Sequence, residues 1–151
     1  MSLRRLAFAL CLVCPTVACD QPALLEVNDA WARDTVGGTA NAAVYMTITS
    51  PTADRLVAAS AAVAGQTDLM TMAGGSDAMG MEYVEAIDIP ADEPVSLNPR
   101  GLHVWLDDLD RPLRAGQTFP LVVTFEKAGR RRVVVSVIGP AAAPPMPGMA
   151  M

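Results

Sequence analysis

The sequence is poor in thiols, in imidazole and in aromatic rings. Its three cysteines, Cys11, Cys14 and Cys19, all fall within the first nineteen residues. Cys11 and Cys14 form a C-x-x-C, but inside the apolar run "LAFALCLVCPTVA", which follows Arg4 and Arg5. A positive start and an apolar run too short to span a bilayer well read as a signal peptide, residues 1–18. A redox dithiol or a zinc site is therefore not expected there. Cleavage after Ala18 would leave Cys19 first, and "TVAC" reads as a lipobox with Thr16 at the usually aliphatic position. Two lipid chains on Cys19 would hold the domain at a membrane surface; a freely soluble exported protein is the alternative. With a single thiol left, no internal disulfide can form.

Basic charge is also scarce. From Cys19 onward there are nine basic and sixteen acidic residues, a formal charge of −7. Nucleic acid, which needs a basic footprint, is excluded as a partner. The one basic run, Arg130-Arg131-Arg132, reads as the solvated flank of a hairpin. A catalytic apparatus is missing as well. No nucleophile stands with an activating base, and no Gly-rich phosphate loop leads from a strand into a helix. Asp107, Asp108 and Asp110 read as a solvated turn rather than as paired acids. The chain is not expected to be an enzyme.

No stretch has the period of a long amphipathic helix. Short segments with turn signals between them take its place: "LLEVNDAWAR", "NAAVYMTITS", "DRLVAAS", "QTDLMTM", "MEYVEAIDI", "EPVSLN", "LHVWLDDL", "FPLVVTFEKA" and "RRVVVSVIG". Val44, Met46 and Ile48 alternate with Tyr45, Thr47 and Thr49, and Leu121, Val123 and Phe125 with Val122, Thr124 and Glu126, a period of two. The breaks hold Gly, Pro, Asn or Asp, and Ala128-Gly129 reads as a hairpin tip. The expected fold is an all-β antiparallel sandwich or barrel spanning 19–140. The Pro- and Met-rich segment 141–151 is expected to be a tail.

Methionine is what the sequence has in quantity. Of nine, seven cluster in two places: Met70, Met72, Met79 and Met81 in "LMTMAGGSDAMGM", and Met146, Met149 and Met151 in the tail. Residues two apart on a strand share a face, so Met70 goes with Met72, Met79 with Met81, and His103, the only histidine, with Trp105. If the two methionine segments pair across Gly74-Gly75, four thioethers gather on one side. Thioethers are soft neutral ligands that select Cu(I), and imidazole is a stronger donor to the same ion. Zinc would want more thiolate, imidazole or carboxylate, and calcium or magnesium an oxygen cluster. Core filling by methionine is the competing explanation of either pair alone.

The spacing Met70, ten residues, Met81, twenty-one residues, His103, one residue, Trp105 resembles that of the periplasmic copper chaperone family often called PCuAC. The family's pattern places His, Met, His and Met at those intervals. The resemblance continues through "AAVYMTITS", "DRLVAAS", "IDIPADEPVSLNPRGLHVWL" and "PLRAGQTFPLVVTFEKAG", from about Leu24 to Ile138. It implies a cupredoxin-like Greek-key β-barrel, a monomer, with copper at its surface. It also implies delivery of that copper to a respiratory oxidase, directly or beside a thiol-bearing assembly factor.

Two of the four positions depart from the family. Met70 replaces a histidine, and Trp105 replaces a methionine with an indole whose nitrogen only donates. One reading is a Cu(I) site of Met70, Met81 and His103, with Met72 as a further thioether. Trp105 would then lie over the ion, a cation–π contact of ~0.5–2 kcal/mol. Affinity would fall as the imidazole takes up a proton. The other reading is a member that has lost copper and kept its fold for docking, with Trp105 as ordinary packing. Sequestration of Cu(I) or Ag(I) for tolerance is a third.

Overall fold

In the structure, a computed structural model, residues 24–75 and 78–146 are described, without the side chains of 73–75, 78 and 79. The expected signal peptide, Cys19, Met149 and Met151 lie outside the described residues. Ten strands account for most of the rest: β1 Glu26–Arg33, β2 Ala42–Thr49, β3 Asp54–Ala61, β4 Ala64–Gly75, β5 Ala78–Tyr83, β6 Ile87–Ile89, β7 Val95–Leu97, β8 His103–Leu109, β9 Thr118–Phe125 and β10 Gly129–Ile138. The one helical element among the described residues is a single 3-10 turn, Val36–Gly38. The segment "MEYVEAIDI" is not one strand but the end of β5 and all of β6.

The hydrogen-bonded order is β5-β4-β8-β2-β1-β10-β9-β3-β6, with β7 also on β2. β7 and β8 share one edge of β2: Leu97 faces Met46, and Val104 faces Val44. β3 and β4 stand near opposite ends of this order, yet they pack on one another through the Ala61–Ala64 turn. The sheet therefore curls round and closes over its own inner face, as a barrel or sandwich must. One ladder departs from the antiparallel expectation, because β1 and β10 pair in parallel, Trp31 opposite Ser136.

The inner face follows the alternation read from the sequence. In β2 buried and half-buried residues alternate without a break, and in β9 Phe119, Leu121, Val123 and Phe125 all point inward. Val44, Ile48, Leu56, Val104, Leu106, Leu121 and Val123 join one core cluster. Each such side chain contributes ~1.5–3 kcal/mol by leaving water. The β9–β10 hairpin turns at Ala128-Gly129 as expected, with Gly129 at φ 73°, a conformation open to glycine. Arg130 and Arg132 lie exposed on its flank. Asp107 and Asp108 are exposed as expected, but they belong to β8 rather than to a turn.

A bulge in β1 decides what the outer face carries. Asn28 faces Thr47 but Trp31 faces Tyr45, so β1 has one residue more than β2 between these pairs. Asp29, at φ 53°, sits in the bulge, where Asp tolerates a left-handed backbone better than most residues. A shift of one residue moves every later side chain to the other face. Without the bulge Trp31 would face Val44 and enter the core. With it, Ala32 takes that place and Trp31 joins Tyr45 outside.

Candidate metal centre

Strand β4 lies between β5 and β8, and its two ladders fix the neighbours of each methionine. Met70 is opposite His103 on β8 and opposite Tyr83 on β5. Met72 is opposite Met81. Asp68 is opposite Trp105, which is itself opposite Ala43 of β2. Directly opposed residues of a ladder share a face, as do residues two apart. The register thus brings Met70, Met72, Met81, His103 and Trp105 to one face of three adjacent strands, the outer one. Gly74 is opposite Met79, whose side chain lies outside the described set.

Exposure varies steeply across this face. His103 and Met70 are 2% and 4% exposed, Met72 and Trp105 are half-buried, and Met81 is 46% exposed. A site wholly at the surface was expected, but only the β5 side of the group opens to water. The reason is a second, smaller packed cluster on the outer face. Trp31 meets Tyr45 at 4.6 Å between ring centroids, Tyr45 meets His103 at 6.2 Å, and His103 meets Trp105 edge-on at 6.2 Å. Both tryptophans thus stand in one row with Tyr45 and the sole histidine, apart from the main core. Arg33 closes the far end, its guanidinium 5.3 Å from the Trp31 ring centroid. Burial raises the Tyr45 hydroxyl above the usual phenol range, which the nearby Arg33 charge partly offsets.

The imidazole is held through one nitrogen. Nδ1 lies 2.9 Å from the Gly101 carbonyl oxygen. A carbonyl only accepts, so Nδ1 carries the proton and the neutral ring keeps its lone pair on Nε2. Among the described residues no hydrogen bond engages Nε2. The same carbonyl accepts from the Met72 backbone N–H at 3.2 Å. Gly101 therefore ties the ring of His103 to the strand position of Met72, and orients a donor in the way outer partners of metal-ligating histidines do. Gly101 itself is fixed by the turn before it, where its N–H donates to the Asn98 carbonyl at 3.1 Å.

The available donors are soft. Among the described residues no three His, Cys, Asp or Glu side chains gather in one place. That leaves no ready set for zinc, calcium or magnesium. One imidazole with neighbouring thioethers fits a soft monovalent cation. Trp105 offers no lone pair; it stands beside the imidazole as a wall of the group. The sequence reading missed Trp31, Tyr45, Arg33 and the Gly101 carbonyl. The alternation of β2 already placed Tyr45 opposite in phase to Val44, and so outside. Trp31 carried no such signal, because the bulge reverses its phase.

An all-β barrel with a face of soft donors defines a class of small metal-handling domains. The family model "Putative lipoprotein LpqE-like" matches residues 25–137, and the chain belongs to that family. Solved structures it resembles include PCuAC domains, of cupredoxin-like fold. An apo PCuAC domain from PmoF1 is 26% identical, with a TM-score of 0.66 over 78% of this chain and 96% of that one. The Cu(I) form of DR1885 from Deinococcus radiodurans, in solution, is 28% identical, with a TM-score of 0.62 over 80% and 81%. A copper-bound PCuAC domain from PmoF2, at 24% identity and TM-score 0.66 over 78% and 95%, shares the fold. No curated protein sequence matches the chain.

Proposed function

We propose that this protein is an exported carrier that binds Cu(I) as cargo and hands it to an acceptor protein. Met70, Met72, Met81 and Nε2 of His103 supply the ligands, and Trp105 walls the ion on the β8 side, away from the open β5 edge. The observation that carries this reading is the register of β4, which sets Met70 against His103 and Met72 against Met81. The PCuAC domains of similar fold, one copper-bound and one related protein in its Cu(I) form, support the choice of metal. Thioethers bind weakly enough to be exchanged one at a time for an acceptor's ligands, which suits transfer better than storage.

The acceptor is a copper centre of a respiratory oxidase, or a thiol-bearing factor that loads one. Export through the 1–18 signal and lipidation of Cys19 would keep the carrier at the membrane surface beside such a partner. The family's lipoprotein description favours that anchor. Sequestration would instead demand tight retention, and a metal-free docking role would leave partner binding indifferent to copper.

A competition titration of the domain against a chromophoric Cu(I) chelator tests the reading, with His103→Gln and Met81→Leu alongside. One-to-one binding, weakened by both substitutions and accompanied by quenched tryptophan emission, is expected. Binding no tighter in the parent than in the variants would leave the docking module as the better account.

A further inference from the structure

Charge on this molecule is sorted by strand. Between Leu56 and Asp110 the sequence has ten acidic residues and a single basic one, Arg100. Four of the ten, Asp68, Glu82, Asp107 and Asp108, lie on β4, β5 and β8, the strands that carry the soft donors. The β9–β10 hairpin reverses the sign, with Lys127, Arg130, Arg131 and Arg132 against Glu126. From this sorting, together with the exposed edge of β5, we infer that the β4–β5–β8 face docks an acceptor whose metal-receiving loop is rimmed by Lys and Arg. The inference rests on the carrier reading and adds the chemistry of the partner.

Two independent features meet on this face. The first is its acidic rim. Asp68 stands opposite Trp105, Asp107 follows two residues along β8, and Glu85 follows two residues after Tyr83. Among the described residues none of these three joins an ion pair. The second is an apolar centre on an open edge. β5 is the last strand on its side of the sheet, and it exposes Met81 at 46% and Tyr83 at 68%. Edge strands are usually blunted by lysine or proline, and β5 has neither. An exposed methionine and tyrosine within a charged border is the anatomy of a protein interface. A bare ion would feel the acidic field but would gain nothing from Tyr83. An acidic protein, an anionic membrane or a nucleic acid would be repelled.

Two synthetic peptides that share a Met-x-Met centre, one flanked by lysines and one by glutamates, serve as probes of the metal-free chain. In about 20 mM salt the lysine-flanked peptide should shift amide NMR signals of β4, β5 and β8 only, and the glutamate-flanked peptide should shift none. The effect should collapse in about 500 mM salt, where screening reaches within a few ångströms. The triple variant Asp68→Asn, Glu85→Gln, Asp107→Asn should abolish it while leaving Cu(I) affinity in the chelator titration unchanged. From the loaded chain, Cu(I) should pass to the lysine-flanked peptide at least ~10-fold faster, as steering predicts. Equal behaviour of the two peptides, shifts on the β9–β10 side, no shifts at all, or an unaffected triple variant would each overturn the inference. A chain that binds no Cu(I) in the chelator titration would remove the carrier reading, while the NMR shifts would still decide the docking surface.

Discussion

Asp54 and His103, two of the four polar side chains buried among the described residues, are buried differently. Asp54, 6% exposed, opens β3 beside the β9–β10 hairpin. Its Oδ1 accepts from the backbone N–H groups of Arg55 at 2.7 Å and Lys127 at 2.9 Å, and its Oδ2 from that of Ala128 at 2.8 Å. Burial by itself would push this carboxyl up; the three N–H donors and the Lys127 charge outweigh it and hold the group below the usual carboxylate range. His103, 2% exposed, has one carbonyl on one nitrogen and a lone pair left on the other. A buried polar group with all its bonds made is a fastening. One with a donor atom to spare, beside thioethers, is where the carrier reading puts its ion.

If Asp54 is the fastening, Asp54→Ala should produce the largest loss of stability. It strands three N–H donors and should cost on the order of 3 kcal/mol in urea unfolding. The Cu(I) affinity of the folded fraction should not change. The pH dependence has a definite sign. Because the folded protein holds Asp54 below its unfolded value, its contribution is complete above the unfolded carboxylate range and is lost as pH falls through the folded value. Asp54→Asn should therefore flatten the acid limb of a stability–pH curve, and leave the limb above neutrality as it was.

His103→Gln should do the reverse. Loss of the ring should weaken Cu(I) binding by more than the ~10–100-fold that removal of an outer-shell partner costs. A chelator titration and a denaturant curve on the same sample would separate the two effects. Met72→Leu, close in volume, should cost under about 1.5 kcal/mol of stability while still lowering Cu(I) affinity measurably. Equal affinity for parent and variant would remove Met72 from the ligand set. The bulge bears on stability alone. Asp29→Val places a β-branched residue at positive φ and should cost ~1–3 kcal/mol in thermal unfolding, whereas Asp29→Gly should be close to neutral.

The same contrast marks how far the sequence can be read. Nine of the ten strands lie in segments whose apolar alternation or turn residues announce them; β6 was hidden in the continuous run from Met81 to Ile89. The pairing of Met70 with Met72, and of His103 with Trp105, follows from the period of a strand. What local pattern cannot supply is which strand lies beside which. The place of β8 against β4, which turns two separate motifs into one cluster, is a long-range fact. So is the parallel closure of β1 on β10. Trp31 was illegible for a different reason: an extra residue in the ladder reversed its face. The burial of His103 escaped as well, because it depends on Tyr45 and Met70 arriving from two other strands.

X-ray absorption at the copper edge of the Cu(I)-loaded domain tests the central claim most directly, with His103→Gln measured beside it. The account predicts a first shell dominated by sulfur with a single imidazole, and loss of the imidazole signature in the variant. A shell of nitrogen and oxygen donors alone, or an imidazole signature that survives His103→Gln, would contradict it.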